Sequence, residues 1–466
     1  MSSAPNHLDL AEQLSRLAPI HFVGVGGSGM APLAELVATY GISCSGSDLN
    51  TPKANSYIRY YLQGSDDESR AIRSSTTVVY SSAIATNHPS MLLAAELKKN
   101  VFHRSDLLAI FSESFKTIAV SGTHGKTTTS AMICHILRTM NLEPSWVIGA
   151  NFADGRPAFR RGHSDLLVIE ADESDGTFLK YRPFISIVNN IEPDHMDFYI
   201  TNDRLRQAFS NFLDKTSNDG CIVYCKDDPT TASVALTVPR RHVCFGTSEA
   251  SDSRLLHSRS NGLLMVGEVR IGKEHLTFKL PMAGKHNAIN AVGALSACGA
   301  LGLDVSAAAA ALTTFPGVAR RLQVYPSKNG ALIFDDYAHN PGKIRSCLSG
   351  LSAAFPSRRI IAVFQPHRFS RIASLYDSFV ESFSFGNIRV VVLPVYAAGE
   401  PHRAGFEPTR LAEDIGRESG VKTFSANSLK EAADLVKSMM DPNLDLLVTI
   451  GAGDVWHVAK DISERC

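Results

Sequence analysis

Short apolar runs rich in β-branched residues alternate with helical stretches along most of this 466-residue chain. Such alternation is typical of parallel sheets covered by helices, so the sequence predicts the α/β fold class. The alternation begins at residues 21–23, begins again at 117–120 and a third time near 331–334. Because this length exceeds what one hydrophobic core holds, we predict three domains, at residues 1–114, 115–321 and 322–466. A small antiparallel addition is expected at 251–280.

Charge and cysteine content narrow the class of protein. The 46 Lys and Arg residues equal the 46 Asp and Glu residues, so no global positive field favours nucleic acid or an anionic membrane as a partner. The first 20 residues are polar, and no apolar run reaches the length of a membrane span. The eight cysteines are scattered, without metal-site spacing. We therefore expect a cytoplasmic protein with reduced thiols and no signal peptide.

The first glycine loop, residues 24–29, directly follows the first apolar run. It fits the spacing G-x-G-x-x-G, and Asp48 lies at the end of the next predicted strand. Glycines let the backbone approach an anion closely, and helix N-terminal amides attract a pyrophosphate. The loop by itself is therefore compatible with a dinucleotide such as NAD, with a nucleotide-sugar diphosphate, or with a tight turn that binds nothing.

The second glycine loop, residues 122–125, leads into Lys126 and Thr127 between an apolar strand and a helix. This order is that of a phosphate loop, although Val120 stands where the full pattern has its first glycine. Backbone amides of such a loop cradle phosphates, the lysine neutralises the γ-phosphate, and the threonine hydroxyl binds Mg²⁺. The sequence thus predicts a nucleotide triphosphate site.

Carboxylates follow two later strands of the predicted central domain. Residues 170–175 come after the apolar run 166–169, and residues 194–197 come after the run 185–188. In open α/β sheets the carboxyl ends of the strands face the ligand crevice, and carboxylate oxygens suit Mg²⁺. Solvated loops are the alternative for any single acid, but two such clusters behind one phosphate loop favour metal binding.

Taken together, these motifs resemble those of the Mur ligase family of peptidoglycan synthesis. The resemblance spans residues 20–455 and rests on seven segments in the family's order: 122–128, 170–175, 189–197, 284–291, 320–321, 335–337 and 364–371. It implies a Rossmann-like N-terminal domain, a central P-loop domain that binds ATP and a Rossmann-like C-terminal domain. It also implies an ATP-dependent ligase that forms an amide bond through an acyl phosphate, with two Mg²⁺ ions.

The family's functional residues carry over onto matching positions. For ATP the resemblance implies Gly122, Thr123, His124, Gly125, Lys126, Thr127, Thr128, Asn287, Arg321 and Asp336. For metal it implies Thr127, Glu170 and His195, and for catalysis Lys126, His195, Arg321 and His367. For the UDP-sugar it implies Gly26, Gly27, Ser28, Gly29, Met30, Asp48, Ser82, His103 and Arg104. For the amino acid it implies His367, Arg368 and Arg371.

Within the family, the loop at 26–30 and the pair His367-Arg368 are most similar to members that add L-alanine to UDP-N-acetylmuramate. One stretch departs from those members, because Ala338 and Asn340 stand where they usually have Gly and His. A recycling ligase that attaches a tripeptide to the same nucleotide sugar therefore stays open. We expect a monomer or a weak homodimer.

Two other classes of protein account for one glycine loop each. An NAD-dependent oxidoreductase would explain the first glycine loop but gives Lys126 and the acidic strand ends no purpose. A regulatory nucleotide switch would explain the second glycine loop but not the His- and Arg-rich segment at 367–371. A requirement for an amino acid in ATP turnover distinguishes the ligase from both.

Overall fold

The computed structural model describes residues 7–27, 29–49 and 57–465. Their strands form three sheets flanked by helices, which confirms the predicted α/β class. The chain divides into two compact units. The first contains the chain up to His257 together with Glu268–Phe278 and Ile289–Phe315, and the second contains Ser258–Gly267, Lys279–Ala288 and the chain from Pro316 onward.

The first sheet has five parallel strands in the order β3-β2-β1-β4-β5. Its strands are β1 (Ile20–Val23), β2 (Cys44–Asp48), β3 (Arg59–Leu62), β4 (Thr77–Tyr80) and β5 (Asn100–His103). Its helices are α1 (His7–Leu17), α2 (Ala31–Thr39), α3 (Asp66–Ser74), α4 (Pro89–Glu96) and α5 (Arg104–Ser114). The strand order reverses at β1, so the first glycine loop lies at the edge where such folds bind ligands.

The second sheet has ten strands in the order β15-β14-β13-β12-β11-β10-β6-β9-β7-β8. They are β6 (Lys116–Ser121), β7 (Ser145–Val147), β8 (Phe159–Arg160), β9 (Leu166–Glu170), β10 (Ile185–Val188), β11 (Cys221–Cys225), β12 (His242–Gly246), β13 (Ser253–Asn261), β14 (Leu264–Ile271) and β15 (Glu274–Leu280). The helices are α6 (Lys126–Thr139), α7 (Met196–Tyr199), α8 (Asn202–Asp214), α9 (Pro229–Ala235), α10 (Lys285–Ala300) and α11 (Val305–Ala311).

Strand order in the second sheet brings the predicted site segments to one edge. β6 pairs in parallel with β9 on one side and β10 on the other. The second glycine loop and both acidic segments therefore follow three adjacent strands. At the far end of the sheet, β13, β14 and β15 are joined by two-residue turns, a spacing that only antiparallel neighbours allow. They form the addition that the sequence predicts near 251–280.

The third sheet has six strands in the order β16-β17-β21-β18-β19-β20, of which β16 is antiparallel to β17. The strands are β16 (Gln323–Tyr325), β17 (Leu332–Asp336), β18 (Arg359–Phe364), β19 (Ile388–Val392), β20 (Lys422–Ser425) and β21 (Asp445–Ile450). The helices are α12 (Pro341–Ala354), α13 (Phe369–Ser374), α14 (Tyr376–Glu381), α15 (Pro408–Ser419), α16 (Leu429–Met439) and α17 (Trp456–Arg465). Within the described ranges, no helix of any domain is long and apolar enough to cross a membrane.

Cysteine thiols in the described part of the chain are all buried and unpaired: Cys44, Cys134, Cys221, Cys225, Cys244, Cys298 and Cys347. Burial raises the pKa of each of these thiols above its ordinary value, because an apolar interior disfavours the thiolate. They are side chains of the core rather than reactive groups.

Candidate active site

The second glycine loop needs glycine at both ends. Gly122 has φ 126° and Gly125 has φ 80°, in the left-handed region that side chains rarely adopt. A Cβ on Gly122 would lie 3.0 Å from the backbone nitrogen of Asn190, and one on Gly125 would lie 2.6 Å from the Asn290 Oδ1. Neighbouring backbone and side chains thus enclose the loop closely and fix its shape.

Two asparagines that follow β10 hold this loop in place. The Asn190 Oδ1 accepts the His124 N–H at 2.7 Å, and the Asn190 carbonyl accepts the Thr123 N–H at 3.1 Å. The Asn189 Nδ2 donates to the Thr129 hydroxyl at 3.1 Å. The sequence motif contained both asparagines, but we predicted no role for them. Their position directly after a strand that neighbours β6 is the signal that would have identified them.

Lys126 begins α6 and is held by carboxylates rather than by solvent. Its Nζ donates to both oxygens of Glu173, at 2.9 and 2.8 Å, and to the Gly122 carbonyl at 2.8 Å. Asp172 lies 3.7 Å away. Burial alone would lower the pKa of Lys126, but Glu173, Asp172 and Glu170 together raise it above its ordinary value. The ammonium is therefore charged and its three donors are all engaged.

The three predicted metal ligands come from the same edge of the sheet. Thr127 is buried in the first turn of α6, next to Thr128, which is also buried. Glu170 ends β9, and its Oε2 accepts the Gly149 N–H at 3.0 Å. His195 follows β10 with φ 55°, and its Nε2 is 3.9 Å from the Asp194 carboxylate. Hydroxyl and carboxylate oxygens are donors that Mg²⁺ prefers.

Buried oxygens without a protein partner also lie in these segments. The Ser121 hydroxyl at the end of β6 and the Asn189 Oδ1 after β10 have none. Across the described ranges, no three His, Cys, Asp or Glu side chains are grouped so as to hold a metal ion. The oxygen donors therefore fit Mg²⁺ only as a partial shell that phosphate oxygens complete, which is its usual coordination in nucleotide sites.

The first glycine loop is closed by hydrogen bonds of its own. The Gly26 N–H donates to the Asp48 carboxylate at 2.8 Å. The Gly27 N–H donates to the Gly24 carbonyl at 3.2 Å, and the Met30 N–H donates to the Gly27 carbonyl at 2.9 Å. Of the predicted UDP-sugar residues, Ser28 lies outside the described residues, and the buried Met30 immediately precedes α2.

Arg104 supplies positive charge to this first loop. A Cβ on Gly29 would lie 3.0 Å from the Arg104 Nη1, so the guanidinium covers that glycine. Burial acts to raise the pKa values of Asp172 and Asp175, but Lys126 lowers that of Asp172, and hydrogen bonds from Ser82 and Thr177 lower that of Asp175. The positive charge of Arg104 adds a smaller lowering to both pKa values. The structure therefore places the first glycine loop and the acidic segment 170–175 close to the same cation.

Ser82 and His103 reach the acidic segment as well. The Ser82 hydroxyl donates to the Asp175 Oδ2, and it lies 3.0 Å from the His103 Nε2. Lys180 pairs with Asp106 at 2.6 Å beside them. These contacts join the domain of the first sheet to that of the second. We predicted no individual role for Asp175 from the sequence.

In the C-terminal unit, the predicted amino-acid residues follow β18. His367 stacks on Tyr396 with ring centroids 5.5 Å apart and an interplanar angle of 9°. The Arg371 Nη1 is 3.1 Å from the His367 Nδ1, and Arg368 has φ 71°. Burial, with added repulsion from Arg371 and Arg368, lowers the pKa of His367 to about 4. The imidazole is neutral, and Tyr396 is a neighbour that the sequence did not predict.

The remaining predicted ATP residues also lie in the C-terminal unit. The Arg321 guanidinium is 5.3 Å from the ring centre of Tyr337. Asp336 ends β17, accepts the Leu322 N–H at 2.9 Å and has its pKa raised to about 6 by burial. The Asn287 Nδ2 donates to the Ala283 carbonyl at 2.7 Å. The structure brings Arg321 and Asp336 together around Tyr337 and leaves Asn287 on α10.

Ala338 and Asn340, which differ from the residues usual in the alanine-adding members, each have a local structural role. The Asn340 Oδ1 accepts the Lys343 N–H at 2.9 Å and so caps the N-terminus of α12, a position that favours asparagine. Ala338 is fully buried in the hydrophobic core that packs on the third sheet. Both residues therefore have local structural roles, Asn340 in helix capping and Ala338 in packing.

Three family models match successive parts of the chain. They are "Mur ligase family, catalytic domain" at residues 19–116, "Mur ligase middle domain" at 120–298 and "Mur ligase, glutamate ligase domain" at 320–453. The chain is also 36% identical to a curated relative over 458 residues, and this alignment covers 97% of each protein. The chain belongs to the Mur ligase family, as the sequence resemblance predicts.

That relative is the UDP-N-acetylmuramate–L-alanine ligase of Sorangium cellulosum. A crystal structure of the UDP-N-acetylmuramate-alanine ligase of Thermotoga maritima matches with a TM-score of 0.80 and 26% identity, over 96% of this chain and 98% of that chain. A murein peptide ligase from Psychrobacter arcticus shares the fold, with a TM-score of 0.69 and 21% identity over 95% and 97%. The oxidoreductase alternative is not supported, because these relatives are ligases.

Proposed function

We propose that the protein joins L-alanine to the carboxylate of UDP-N-acetylmuramate, with conversion of ATP to ADP and phosphate, in peptidoglycan synthesis. The observation that carries this proposal is the charged Lys126, buried against carboxylates at the edge shared by β6, β9 and β10. The identity of 36% to a UDP-N-acetylmuramate–L-alanine ligase, across 97% of each protein, supports L-alanine as the amine.

The chemistry explains why such a lysine is needed. A carboxylate is a poor acyl donor, because an attacking amine would have to expel an oxide. Transfer of the γ-phosphoryl group of ATP to the carboxylate supplies a leaving group. Lys126 offsets the charge of the phosphates during this transfer, as the lysine of other phosphate loops does. The alanine amine then attacks the acyl phosphate, and phosphate leaves.

Thr127, Glu170 and His195 are the residues that would hold Mg²⁺, in the family's expected two sites. The metal would supply Lewis-acid stabilisation of charge on the transferred phosphoryl group. Glu170 already accepts a backbone N–H at 3.0 Å, which orients its carboxylate.

Binding of the two other substrates is proposed for different parts of the chain. The first glycine loop, with Asp48, Ser82, His103 and Arg104, would hold the UDP-sugar. His367, Arg368 and Arg371 would face the amino acid. We place the reaction in the cytoplasm, where ATP is available, and propose a monomer or a weak homodimer.

The test is phosphate release from ATP and Mg²⁺ in the presence of UDP-N-acetylmuramate. L-alanine, glycine, L-serine and the tripeptide L-alanyl-γ-D-glutamyl-meso-diaminopimelate are compared, and each reaction is repeated without the nucleotide sugar. We expect turnover that requires the nucleotide sugar and is fastest with L-alanine.

Two outcomes would change the proposal. A preference for the tripeptide would keep the family and the chemistry but move the protein to peptide recycling. Absence of turnover with every amine, although the protein binds ATP, would refute the ligase function.

A further inference from the structure

Three side chains and two backbone N–H groups at the junction of the first two domains form a directed hydrogen-bond chain. His103 caps the N-terminus of α5, and the Ser105 N–H donates to its Nδ1 at 3.3 Å. The His103 Nε2 lies 3.0 Å from the Ser82 hydroxyl, which in turn donates to the Asp175 Oδ2. The Asp175 Oδ1 accepts the N–H of Thr177 at 3.0 Å.

The Asp175 carboxylate fixes the direction of the bonds in this chain. It only accepts, so it engages the one Ser82 proton and the His103 Nε2 must donate to Ser82. The His103 Nδ1 then carries no proton and accepts from the Ser105 N–H at 3.3 Å and from the Ser105 hydroxyl at 2.7 Å. Burial lowers the pKa of His103, which keeps the ring neutral. The proton therefore resides on Nε2, and His103 donates to Ser82. Because a carboxylate only accepts, the Ser82 hydroxyl proton points to Asp175.

Ser82 is then left with a single hydrogen-bonding function. A serine hydroxyl has one proton and two lone pairs. The proton is engaged by Asp175 and one lone pair by His103, so the second lone pair is what this exposed residue presents to a ligand. A phosphate oxygen, which needs a donor, gains nothing from it.

We propose that Asp175 is a positioning residue that makes Ser82 a hydrogen-bond acceptor for the sugar part of the nucleotide sugar, and not a donor to its pyrophosphate. The ligand group that this site takes is a donor, either a hydroxyl or an amide N–H of the amino sugar. The inference deepens the proposed function and rests on it, because it requires a UDP-sugar at the first glycine loop.

The place of Ser82 in the fold identifies the sugar part. Arg104 covers Gly29 and supplies the charge that a pyrophosphate needs at the first glycine loop. Asp175 belongs to the segment after β9 that also contains Glu173, the partner of Lys126. A substrate that reaches from the glycine loop to Lys126 with its carboxylate passes its sugar along this segment.

The test is calorimetric binding of UDP-N-acetylmuramate and of UDP alone. In Asp175→Asn, the amide can donate to Ser82 and so turn its hydroxyl proton towards the ligand. We expect UDP-N-acetylmuramate to bind about tenfold more weakly, the value of one hydrogen bond, and UDP affinity to stay within about twofold. Ser82→Ala should have the same selective effect without altering the turn at Thr177.

The double variant shows whether Asp175 acts through Ser82. In Ser82→Ala/Asp175→Asn, the second change should add no further loss, since its only route is already removed. Glu113→Gln is the matched control, because Glu113 on α5 pairs with Arg182 of the second domain at 3.0 Å without contacting His103, Ser82 or Asp175. It should leave the ratio of the two affinities unchanged.

The outcomes separate the inference from the proposed function. Equal losses for UDP and UDP-N-acetylmuramate in Asp175→Asn, or additive losses in the double variant, would overturn the role of Asp175. Wild-type protein that binds neither nucleotide would instead refute the proposed function, and the inference with it.

Discussion

The two glycine loops are alike in sequence and different in their surroundings. Each follows a buried strand of a parallel sheet and precedes a helix. The first loop has a carboxylate, Asp48, on one of its amides, and its cation comes from Arg104 on α5. The second loop runs directly into its own cation, Lys126, which Glu173 holds at 2.8 Å.

The difference teaches that glycines make a loop approachable but do not select its ligand. Selection depends on the charges that neighbouring strand ends deliver. In the second sheet these are carboxylates around a buried lysine, an arrangement suited to a triphosphate with Mg²⁺. In the first sheet they are the Asp48 carboxylate on a loop amide, one arginine and neutral hydrogen-bonding groups, an arrangement that we assign to a nucleotide sugar.

The largest expected effect comes from removing the cation of the second loop. In Lys126→Ala we expect kcat/KM for ATP to fall by about 10³-fold, because the charge of the transferred phosphoryl group loses its fixed counter-charge. Phosphate release measures this. Lys116→Ala, a more exposed lysine on the preceding strand, should be nearly unchanged. If Lys126→Ala binds the UDP-sugar as the wild type does, the first loop works independently of the second. If the variant no longer binds the UDP-sugar, the two loops do not have separate ligands.

The next largest effect concerns Mg²⁺, which we expect to be required at the second glycine loop and not at the first. In Glu170→Gln we expect the Mg²⁺ concentration for half-maximal activity to rise by about 10- to 100-fold, since a neutral amide is a weak ligand for a hard cation. Titration of activity with Mg²⁺ gives this value. EDTA should abolish turnover yet leave UDP binding intact. A UDP affinity that depends on Mg²⁺ would contradict the assignment of the metal to the second loop alone.

Arg104→Ala should have an intermediate effect, confined to the first loop. Loss of a charge-assisted contact is worth about 1.5–3 kcal/mol, so we expect UDP to bind roughly 10- to 100-fold more weakly. The remaining affinity should depend less on salt. Calorimetry at two salt concentrations measures both effects, with Arg70→Ala on α3 as an exposed control. An equal loss of ATP affinity would indicate that Arg104 serves both sites.

The smallest effects concern the glycines themselves. Gly122→Ala places a Cβ 3.0 Å from backbone atoms at a φ of 126°, and we expect it to lower the free energy of unfolding by about 1–3 kcal/mol. In Gly27→Ala the nearest atom is 3.4 Å away, so the loss should be below about 1 kcal/mol. Thermal unfolding of both variants tests this difference. Equal shifts in Tm would show that the two loops are equally constrained.

Much of the second loop's environment could be predicted from the sequence. The apolar runs before residues 122, 170 and 189 predicted three strands, and parallel strands place such segments at one edge. The pairing of Lys126 with Glu173 rather than Glu170 could not be predicted, because it depends on the path of the backbone beyond β9. The role of Asn190 was missed although its place directly after β10, a neighbour of β6, indicates it.

Contacts between domains were beyond sequence patterns altogether. Ser82 and Asp175 are 93 residues apart and follow strands of different sheets. Hydrophobic periodicity reports which face of an element is buried, but it contains no information about which polar groups meet at a junction. Likewise, only the packing of the third domain shows that Tyr396 stacks on His367.

The buried thiols have a practical consequence for studying this protein. Cys44 belongs to the first sheet, Cys221 to the second, and Cys347 to the helix layer of the third. A thiol reagent reaches such side chains only when the surrounding structure opens, so labelling rates report the frequency of local unfolding. Each domain therefore contains a natural sensor of its own opening. Protection of individual cysteines by each substrate would reveal which domain that substrate stabilises.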